Sequence, residues 1–349
     1  MVGERDIPMQ SMKRSLFFLL LAATALSCSD ILVEPRDSNQ NIQDFEAAWT
    51  RIKTVYPYLE FKHINWDSLH IVYHQRTEEA RGDEFYLVLR DLLGELRDGH
   101  VYYHTDGGGE VYPFYPQRHF KDRHAYSPFV VRKYFDRELR LTGSRSMEYE
   151  IMPGNIGYIF LSDFHENYLT DEFPGVLEYL KNTKGLIIDI RQKRGGSYQN
   201  VEAVVSRFIS APLQRPDFYL LGQKVDLSPL QPRGPFAYLN PVVVLINGST
   251  FSAGELCTEM LKQLPQVTAV GDTTGGGSAG SQDHPPEAKG EFRLPSGKLI
   301  YIGTIDLRRY DGLPWEWLGI PPDIRIEQTE ADIDAGRDKQ LEYALEMLR

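Results

Sequence analysis

Two stretches of the chain share one order of hydrophobic and polar positions: an aliphatic run, a turn rich in small residues, and an amphipathic segment. Residues 186–190 and residues 242–246 are the aliphatic runs, and each predicts a strand that is buried on both faces. A Gly195-Gly196 turn follows the first strand, and residues 247–252 form the turn after the second. The helices predicted after these turns carry their apolar positions at Val201, Val204, Val205, Phe208 and Ile209, and at Leu256, Met260, Leu261 and Leu264.

Ser252 lies where the second turn enters its helix. Free backbone N–H groups and the positive end of the helix dipole meet at such a position, and together they can hold the oxyanion of an acyl-transfer intermediate. This favours a serine nucleophile. The alternative is that Ser252 is an N-cap residue with Glu255 as its capping-box partner, and the local pattern alone does not separate the two.

The pair of stretches resembles the tail-specific, or C-terminal processing, serine peptidases. That family carries an acid-x-Arg-x-x-x-Gly-Gly segment, a Thr-x-Ser-Ala-x-Glu nucleophile turn and two further motifs in order, and the resemblance covers roughly residues 43–326. The matching positions are Asp189, Arg191, Gly195 and Gly196, then Thr250, Ser252, Ala253 and Glu255, then residues 271–277 and 315–323. The resemblance implies an α/β fold with a crotonase-like core of stacked ββα units.

Two catalytic branches occur in this family, and the sequence resembles the tricorn-like one. The other branch pairs the serine with a lysine at the position that Gly277 occupies here. The tricorn-like branch uses serine, histidine and glutamate, and its elements correspond to residues 98–100 and 316–323. The resemblance therefore implies that Ser252 is the nucleophile, that His100 is the general base and acid, and that Glu316 orients the imidazole directly or through a hydroxyl.

The same resemblance assigns the oxyanion hole and one departure from the family pattern. The N–H of Ala253 and one N–H from the Gly195-Gly196 turn would bind the oxyanion. In the tricorn-like branch a serine can precede the histidine and relay to the glutamate, whereas Gly99 stands there in this chain.

The remainder of the chain predicts smaller parts around this core. Residues 43–104 show helical periodicity and form a helical N-terminal subdomain, and residues 105–150 predict a short β insert with Phe129–Arg132 as one of its strands. This insert is too short for the full PDZ domain that many family members hold. A catalytic core over 151–330 and a C-terminal helix over 331–349 complete the prediction.

The N-terminal segment has the features of an export signal. Lys13 and Arg14 precede an apolar run that is too short to span a membrane, which predicts a signal peptide over 1–27. A small residue before Cys28 resembles the lipobox of bacterial lipoproteins, so we expect lipidation at Cys28 and a tether over 28–42. An ordinary secretory signal with an incidental cysteine is the alternative.

Composition narrows the choice of partners. The chain has 349 residues, an ordinary hydrophobic content of 42% and a net charge of −11. Because phosphate binding needs a basic face, a nucleic-acid partner is not expected. The sequence has no metal-ligating pattern of the His-Glu-x-x-His kind, and no metal or organic cofactor is expected.

The resemblance, together with the N-terminal pattern, implies a serine endopeptidase of the cell envelope that acts on a peptide or protein substrate and is attached to a membrane by its N-terminal lipid. An α/β-hydrolase esterase is one alternative, since Thr250-Phe251-Ser252-Ala253-Gly254 is one residue from the Gly-x-Ser-x-Gly elbow, with His284 as its histidine. A homologue that binds hydrophobic ligands or peptides without catalysis is the other.

Overall fold

The computed structural model of the protein describes residues 38–105, 107–162, 164, 168–192, 195–278 and 288–349. The helices are α1 (Ser38–Val55), α2 (Trp66–Glu79), α3 (Glu84–Gly94), α4 (Gln117–His124), α5 (Pro128–Arg132), α6 (Tyr168–Leu180), α7 (Tyr198–Val205), α8 (Ala253–Leu261), α9 (Glu330–Asp334) and α10 (Lys339–Met347). The strands are β1 (Tyr102–His104), β2 (Glu110–Val111), β3 (Arg140–Leu141), β4 (Met147–Met152), β5 (Ile156–Leu161), β6 (Gly185–Asp189), β7 (Asp217–Leu220), β8 (Gln223–Lys224), β9 (Val242–Ile246), β10 (Val267–Gly271), β11 (Glu291–Arg293), β12 (Leu299–Tyr301), β13 (Ile305–Arg308) and β14 (Ile324–Arg325).

The largest sheet within the described residues has seven strands in the order β14-β10-β9-β6-β5-β4-β3. Strands β5, β6, β9, β10 and β14 run parallel, whereas β4 and β3 add antiparallel at one edge. Strands β6 and β9 are direct neighbours, with Ile188 opposite Val244 and Asp189 opposite Leu245. Their carboxyl ends therefore meet at one edge of the sheet.

Both faces of this sheet are covered, as the unbroken aliphatic runs predict. Ile188 and Val244 point into a core cluster shared with helices α6, α7 and α8. The alternate residues Ile187 and Val243 point the other way, into a cluster closed by α10. Since strand side chains alternate between faces, a strand between two helical layers has no polar side left. The predicted α/β fold is confirmed.

The N-terminal helices form a separate layer with its own core. Helices α1, α2 and α3 bury aromatic and leucine side chains against the sheet of order β11-β12-β1-β2. Asn65 caps α2 by accepting the Ser68 N–H at 3.0 Å. This part of the chain is therefore helical from its start. Because α1 begins at Ser38, residues 38–42 belong to a helix and not to the predicted tether.

The structure corrects the prediction for residues 105–150. This interval forms no β unit of its own in the described residues: it contains α4 and α5, and its strands β2, β3 and the start of β4 join two larger sheets. The predicted strand Phe129–Arg132 lies in α5, because Pro128 at the first helical position and the extended Ser127 before it start a helix. Residues 331–349 likewise contain most of α9 and then α10 instead of one helix.

The predicted signal peptide and Cys28 lie outside the described residues. Within the described residues, no helix has the length and apolar character needed to cross a bilayer.

Candidate active site

The turns after β6 and β9 lie side by side at the carboxyl edge of the central sheet. Parallel strands bring such turns together, and ligand sites of open α/β sheets are commonly found there. The Thr250 hydroxyl donates to the carbonyl of Ile190 at 3.0 Å and accepts the N–H of Asn247 at 3.1 Å. Thr250 therefore ties the turn that carries Ser252 to the end of the neighbouring strand.

Ser252 has a strained backbone conformation, with φ 56° and ψ −119°. Non-glycine residues rarely adopt positive φ, and such strain is concentrated at functional sites. Ser252 stands directly before α8, and its N–H donates to Glu255 Oε2 at 3.0 Å. The Glu255 half of the capping interaction predicted from the sequence is thus present, and it coexists with a positive φ that a simple N-cap does not require.

Gly195 faces Ser252 across the two turns. A Cβ built on Gly195 would lie 2.8 Å from Ser252 Cβ, 3.1 Å from Ser252 Oγ and 3.6 Å from the Ala253 nitrogen. With φ 126° at Gly195 and 137° at Gly196, the backbone is in a region that glycine alone adopts readily. In the described part of the chain, the N–H groups of Gly195 and Ala253 donate to no other group. Gly195 and the Ala253 nitrogen, both predicted to take part in the oxyanion hole, therefore lie close to the Ser252 side chain.

Glu255 is a fully buried carboxylate beneath this turn. Besides the Ser252 N–H it accepts the Thr274 hydroxyl at 2.5 Å and the N–H groups of Gly276 and Gly277 at 2.8 and 2.9 Å. Burial raises the pKa of Glu255 to about 7, and these hydrogen bonds oppose the rise. The capping residue predicted from sequence is thus also the anchor of the glycine-rich loop over 274–277.

His100 lies between α3 and β1 and reaches the nucleophile turn through Phe251. The two rings stack with centroids 4.5 Å apart and planes 21° apart. His100 Nδ1 is buried without a hydrogen-bond partner, 3.9 Å from Oδ1 of Asp98. Burial lowers the pKa of His100 to about 4, although the Asp98 charge raises it and the Lys62 charge lowers it further. The imidazole is consequently neutral at ordinary pH, the form that a general base requires.

Phe251 also explains two glycines that depart from family patterns. A Cβ on Gly99 would lie 2.9 Å from Phe251 Cζ and 3.0 Å from Pro116 Cδ, so a serine has no room before His100. A Cβ on Gly277 would lie 2.0 Å from Phe251 Cζ, so a lysine has no room there either. The aromatic ring occupies the space of both a relay serine and a dyad lysine.

Glu316 is buried but does not touch His100. Its Oε1 accepts from Lys62 Nζ at 2.6 Å and its Oε2 accepts the Ser278 N–H at 2.7 Å. Burial, and then the nearby Asp98 charge, raise the pKa of Glu316. Lys62 Nζ continues to the Tyr56 hydroxyl at 2.8 Å, and that hydroxyl donates to Asp98 Oδ2 at 2.9 Å. Lys62 Nζ also donates to the carbonyls of Leu96 and Arg97 at 2.9 and 3.2 Å, so Glu316 is linked to the histidine side of the site through Lys62.

Asp189 and Arg191, the acidic and basic positions of the first motif, have a structural role. The Arg191 guanidinium binds both Asp189 oxygens and also Asp338 Oδ1 at 2.9 Å. Charge-assisted pairs of this kind fix geometry as well as adding energy. They hold α10 against the end of β6, directly before the Gly195-Gly196 turn.

The structure thus brings Ser252, Ala253, Gly195 and Gly196 together, and brings His100 to the same turn through Phe251. Sequence reasoning missed Lys62, Tyr56 and Phe251. Lys62 lies in a turn without any motif, and its partner Glu316 is 254 residues away along the chain, so only the fold reveals the pair. The alternative histidine, His284, lies outside the described residues. No group of three or more metal-ligating side chains suited to an ion is found among the residues described.

Comparison with protein families matches two parts of the chain. Residues 155–326 match peptidase family S41, and residues 38–94 match the tricorn protease C1 domain. Tricorn protease homolog 1 of Streptomyces coelicolor is 28% identical over 212 residues, covering 58% of this chain and 17% of that protein. The carboxy-terminal processing protease CtpB of Bacillus subtilis is 27% identical over 209 residues, covering 56% of this chain and 43% of that protein. The chain thus spans less than half the length of these curated relatives.

Solved structures extend the likeness to the whole fold. The crystal structure of a candidate peptidase from Parabacteroides merdae superposes with a TM-score of 0.75 at 25% identity, covering 88% of this chain and 96% of that one.

Proposed function

Because residues 155–326 match peptidase family S41, we propose that the chain is a serine endopeptidase that forms an acyl-enzyme on Ser252. The observation that carries this proposal is the meeting of Ser252 with Gly195 and the Ala253 N–H at the carboxyl edge of the sheet. A side-chain oxygen, two free N–H donors and a strained backbone at one point are the parts that acyl transfer needs.

In the proposed reaction His100 takes the Ser252 proton as Oγ bonds to the substrate carbonyl carbon. The N–H groups of Ala253 and Gly195 stabilise the resulting oxyanion. His100 then gives the proton to the leaving amine as the carbon–nitrogen bond breaks, and water repeats the cycle to release the acid. In this proposal the Glu316 carboxylate acts on His100 indirectly, through Lys62, Tyr56 and Asp98.

The match of residues 155–326 to peptidase family S41 supports the peptidase proposal over the α/β-hydrolase alternative. The non-catalytic alternative remains an outcome of the test. Purified protein is treated with a fluorophosphonate probe and compared with Ser252→Ala, His100→Ala and His284→Ala. We expect labelling to be lost in the first two variants and kept in the third. An unlabelled wild-type protein would exclude an activated Ser252 and favour ligand binding.

We also propose that the protein is exported and anchored in the cell envelope by lipid on Cys28. The support is the basic and apolar pattern before Cys28 and the small residue adjoining it. Metabolic labelling with a fatty-acid analogue should mark the wild-type protein and not Cys28→Ser, and the variant should leave the membrane fraction. A secretory signal without lipidation would give equal fractionation of both.

A further inference from the structure

A cluster of buried charges lies behind His100, away from the serine. Asp98 and Glu316 are fully buried carboxylates, and the Lys62 side chain is only 1% exposed. Buried charges of this kind are costly unless they are paired and hydrogen-bonded, and here the pairing is nearly complete. The exception is the His100 Nδ1 atom, which is buried and has no partner.

The Asp98 carboxylate lies beside both the backbone N–H and the ring of His100. Its Oδ1 accepts the backbone N–H of His100 at 2.8 Å and lies 3.9 Å from Nδ1 of the ring. Its Oδ2 is held by the Tyr56 hydroxyl. The 3.9 Å separation from Nδ1 is longer than a hydrogen bond, and catalytic hydrogen bonds are often long before substrate binds.

Lys62 occupies the space between the two carboxylates. Its ammonium contacts Glu316 Oε1, the Tyr56 hydroxyl and the carbonyl of Leu96. A fourth contact joins the ammonium to the carbonyl of Arg97 at 3.2 Å. Of the two carboxylates, the ammonium pairs directly with Glu316 and is linked to Asp98 through the Tyr56 hydroxyl. Asp98 is therefore the carboxylate left to serve the imidazole.

We propose that Asp98, rather than Glu316, is the positioning residue of His100. Lys62 pairs with Glu316, so that this carboxylate does not serve the imidazole, and it holds Asp98 in place through the Tyr56 hydroxyl. An Nδ1–H directed at Asp98 fixes the tautomer in which Nε2 is free to take the Ser252 proton, and the carboxylate stabilises the imidazolium that results. This inference rests on the proposed peptidase function, and it names the acid of that site.

The first test is a matched pair of amide substitutions, Asp98→Asn and Glu316→Gln, read by the rate of fluorophosphonate labelling across pH. Loss of an orienting carboxylate lowers rates by about 10²–10⁴-fold when the tautomer is wrong. We expect a loss of that size in Asp98→Asn, partial recovery in Asp98→Glu, and a loss below about tenfold in Glu316→Gln. An equal or larger loss in Glu316→Gln would overturn the inference.

The second test does not depend on catalysis. The charged groups that act on the His100 ring are Asp98 and Lys62, with Glu316 and Tyr56 adjoining them, and the uncharged Phe251 covers one ring face. In a titration of the His100 ring signals by NMR, Asp98→Asn should lower the pKa and Lys62→Met should raise it. Unchanged values in Asp98→Asn would overturn the inference whatever the labelling shows.

The two tests separate the inference from the function on which it rests. If wild-type protein is not labelled while the NMR shifts have the expected opposite signs, the inference about Asp98 and His100 is supported and the proposed peptidase activity is contradicted. If wild-type protein is labelled and Asp98→Asn is labelled equally fast, the proposed activity is supported and the inference about Asp98 is contradicted. Thermal unfolding of each variant verifies that the compared proteins are folded.

Discussion

The nucleophile side and the histidine side of the site are built in different ways. Ser252, Ala253 and Gly195 belong to two turns of one sheet, joined by backbone hydrogen bonds and the Thr250 hydroxyl. His100 depends on charged side chains from distant segments, including a lysine and a glutamate 254 residues apart. The nucleophile geometry therefore follows from the sheet, whereas the histidine geometry follows from how the N-terminal helical layer packs on the core.

The largest expected effect comes from removing the nucleophile. Ser252→Ala should abolish fluorophosphonate labelling and lower any peptide hydrolysis by about 10⁴-fold or more, because the acyl-enzyme can no longer form. The variant should remain folded, since the turn is held by backbone contacts and Thr250. Ser210→Ala removes an exposed serine hydroxyl and is the matched control. A labelled Ser252→Ala protein would place the reactive group elsewhere.

The next effect concerns the closeness of the two turns. Gly195→Ala places a methyl group 2.8 Å from Ser252 Cβ, so the serine must move. Displacements near 1 Å at a reacting group can lower rates about 10²-fold, and we expect at least that loss in labelling rate. Gly82 also has positive φ but nothing within 4 Å of its Cβ position. Gly82→Ala should therefore cost about 1 kcal/mol of stability and leave the labelling rate unchanged. Equal effects at both sites would contradict the predicted contact.

A third effect separates stability from activity on the nucleophile side. Burial raises the folded-state pKa of Glu255 from 4.5 to about 7. The carboxyl group thus contributes stability in full below about pH 4.5, and this contribution is lost as the pH rises toward 7. The loss corresponds to about 3 kcal/mol in the free energy of unfolding.

The measurement is the difference in unfolding free energy between wild type and Glu255→Gln from pH 4 to 8. We expect that difference to change across this range, because glutamine does not titrate. The depressed pKa of His100 gives the wild type an opposite slope, since stability falls as the pH drops below 6.5, but this slope is common to both proteins and cancels. A flat curve for Glu255→Gln would show that its four hydrogen bonds keep the carboxylate ionised.

Sequence periodicity and motifs predicted most of the nucleophile side. The runs at 186–190 and 242–246 carry their own strand signal, and the small residues after them mark the turns. The α/β class and the neighbouring turns were accessible in this way. Residues 105–150 were not, because their strands are short and complete two distant sheets, so no local period marks them.

The contacts on the histidine side of the site could not be predicted from the sequence. The motif containing Glu316 suggested a direct role in orienting the imidazole, but a motif does not show which buried cation competes for the carboxylate. Lys62 has no sequence signal, since a lone lysine after a helix is usually exposed. The burial of Lys62 and the position of Asp98 nearer to His100 both depend on the fold. The three segments involved meet only in the folded protein.

The smallest expected effect tests the one side chain that joins the two sides. Phe251 precedes the nucleophile and stacks on His100, and burial is the main cause of the low pKa of that histidine. In wild type, the labelling rate should fall only as the pH drops toward about 4, where His100 becomes protonated, instead of across the ordinary histidine range of about 6 to 7. Phe251→Leu removes part of the ring cover and should move this fall upward by about one pH unit.

An aromatic replacement, Phe251→Tyr, keeps the stacked ring and is the matched control, with a fall near the wild-type pH. If the rate of Phe251→Leu drops equally at every pH with no movement of the acid limb, Phe251 acts on the position of Ser252 and not on the environment of His100. A moved limb with little change in the maximal rate would show that the nucleophile geometry is independent of the packing that sets the histidine. The histidine side would then be the part of the site that distant changes in the helical layer can tune.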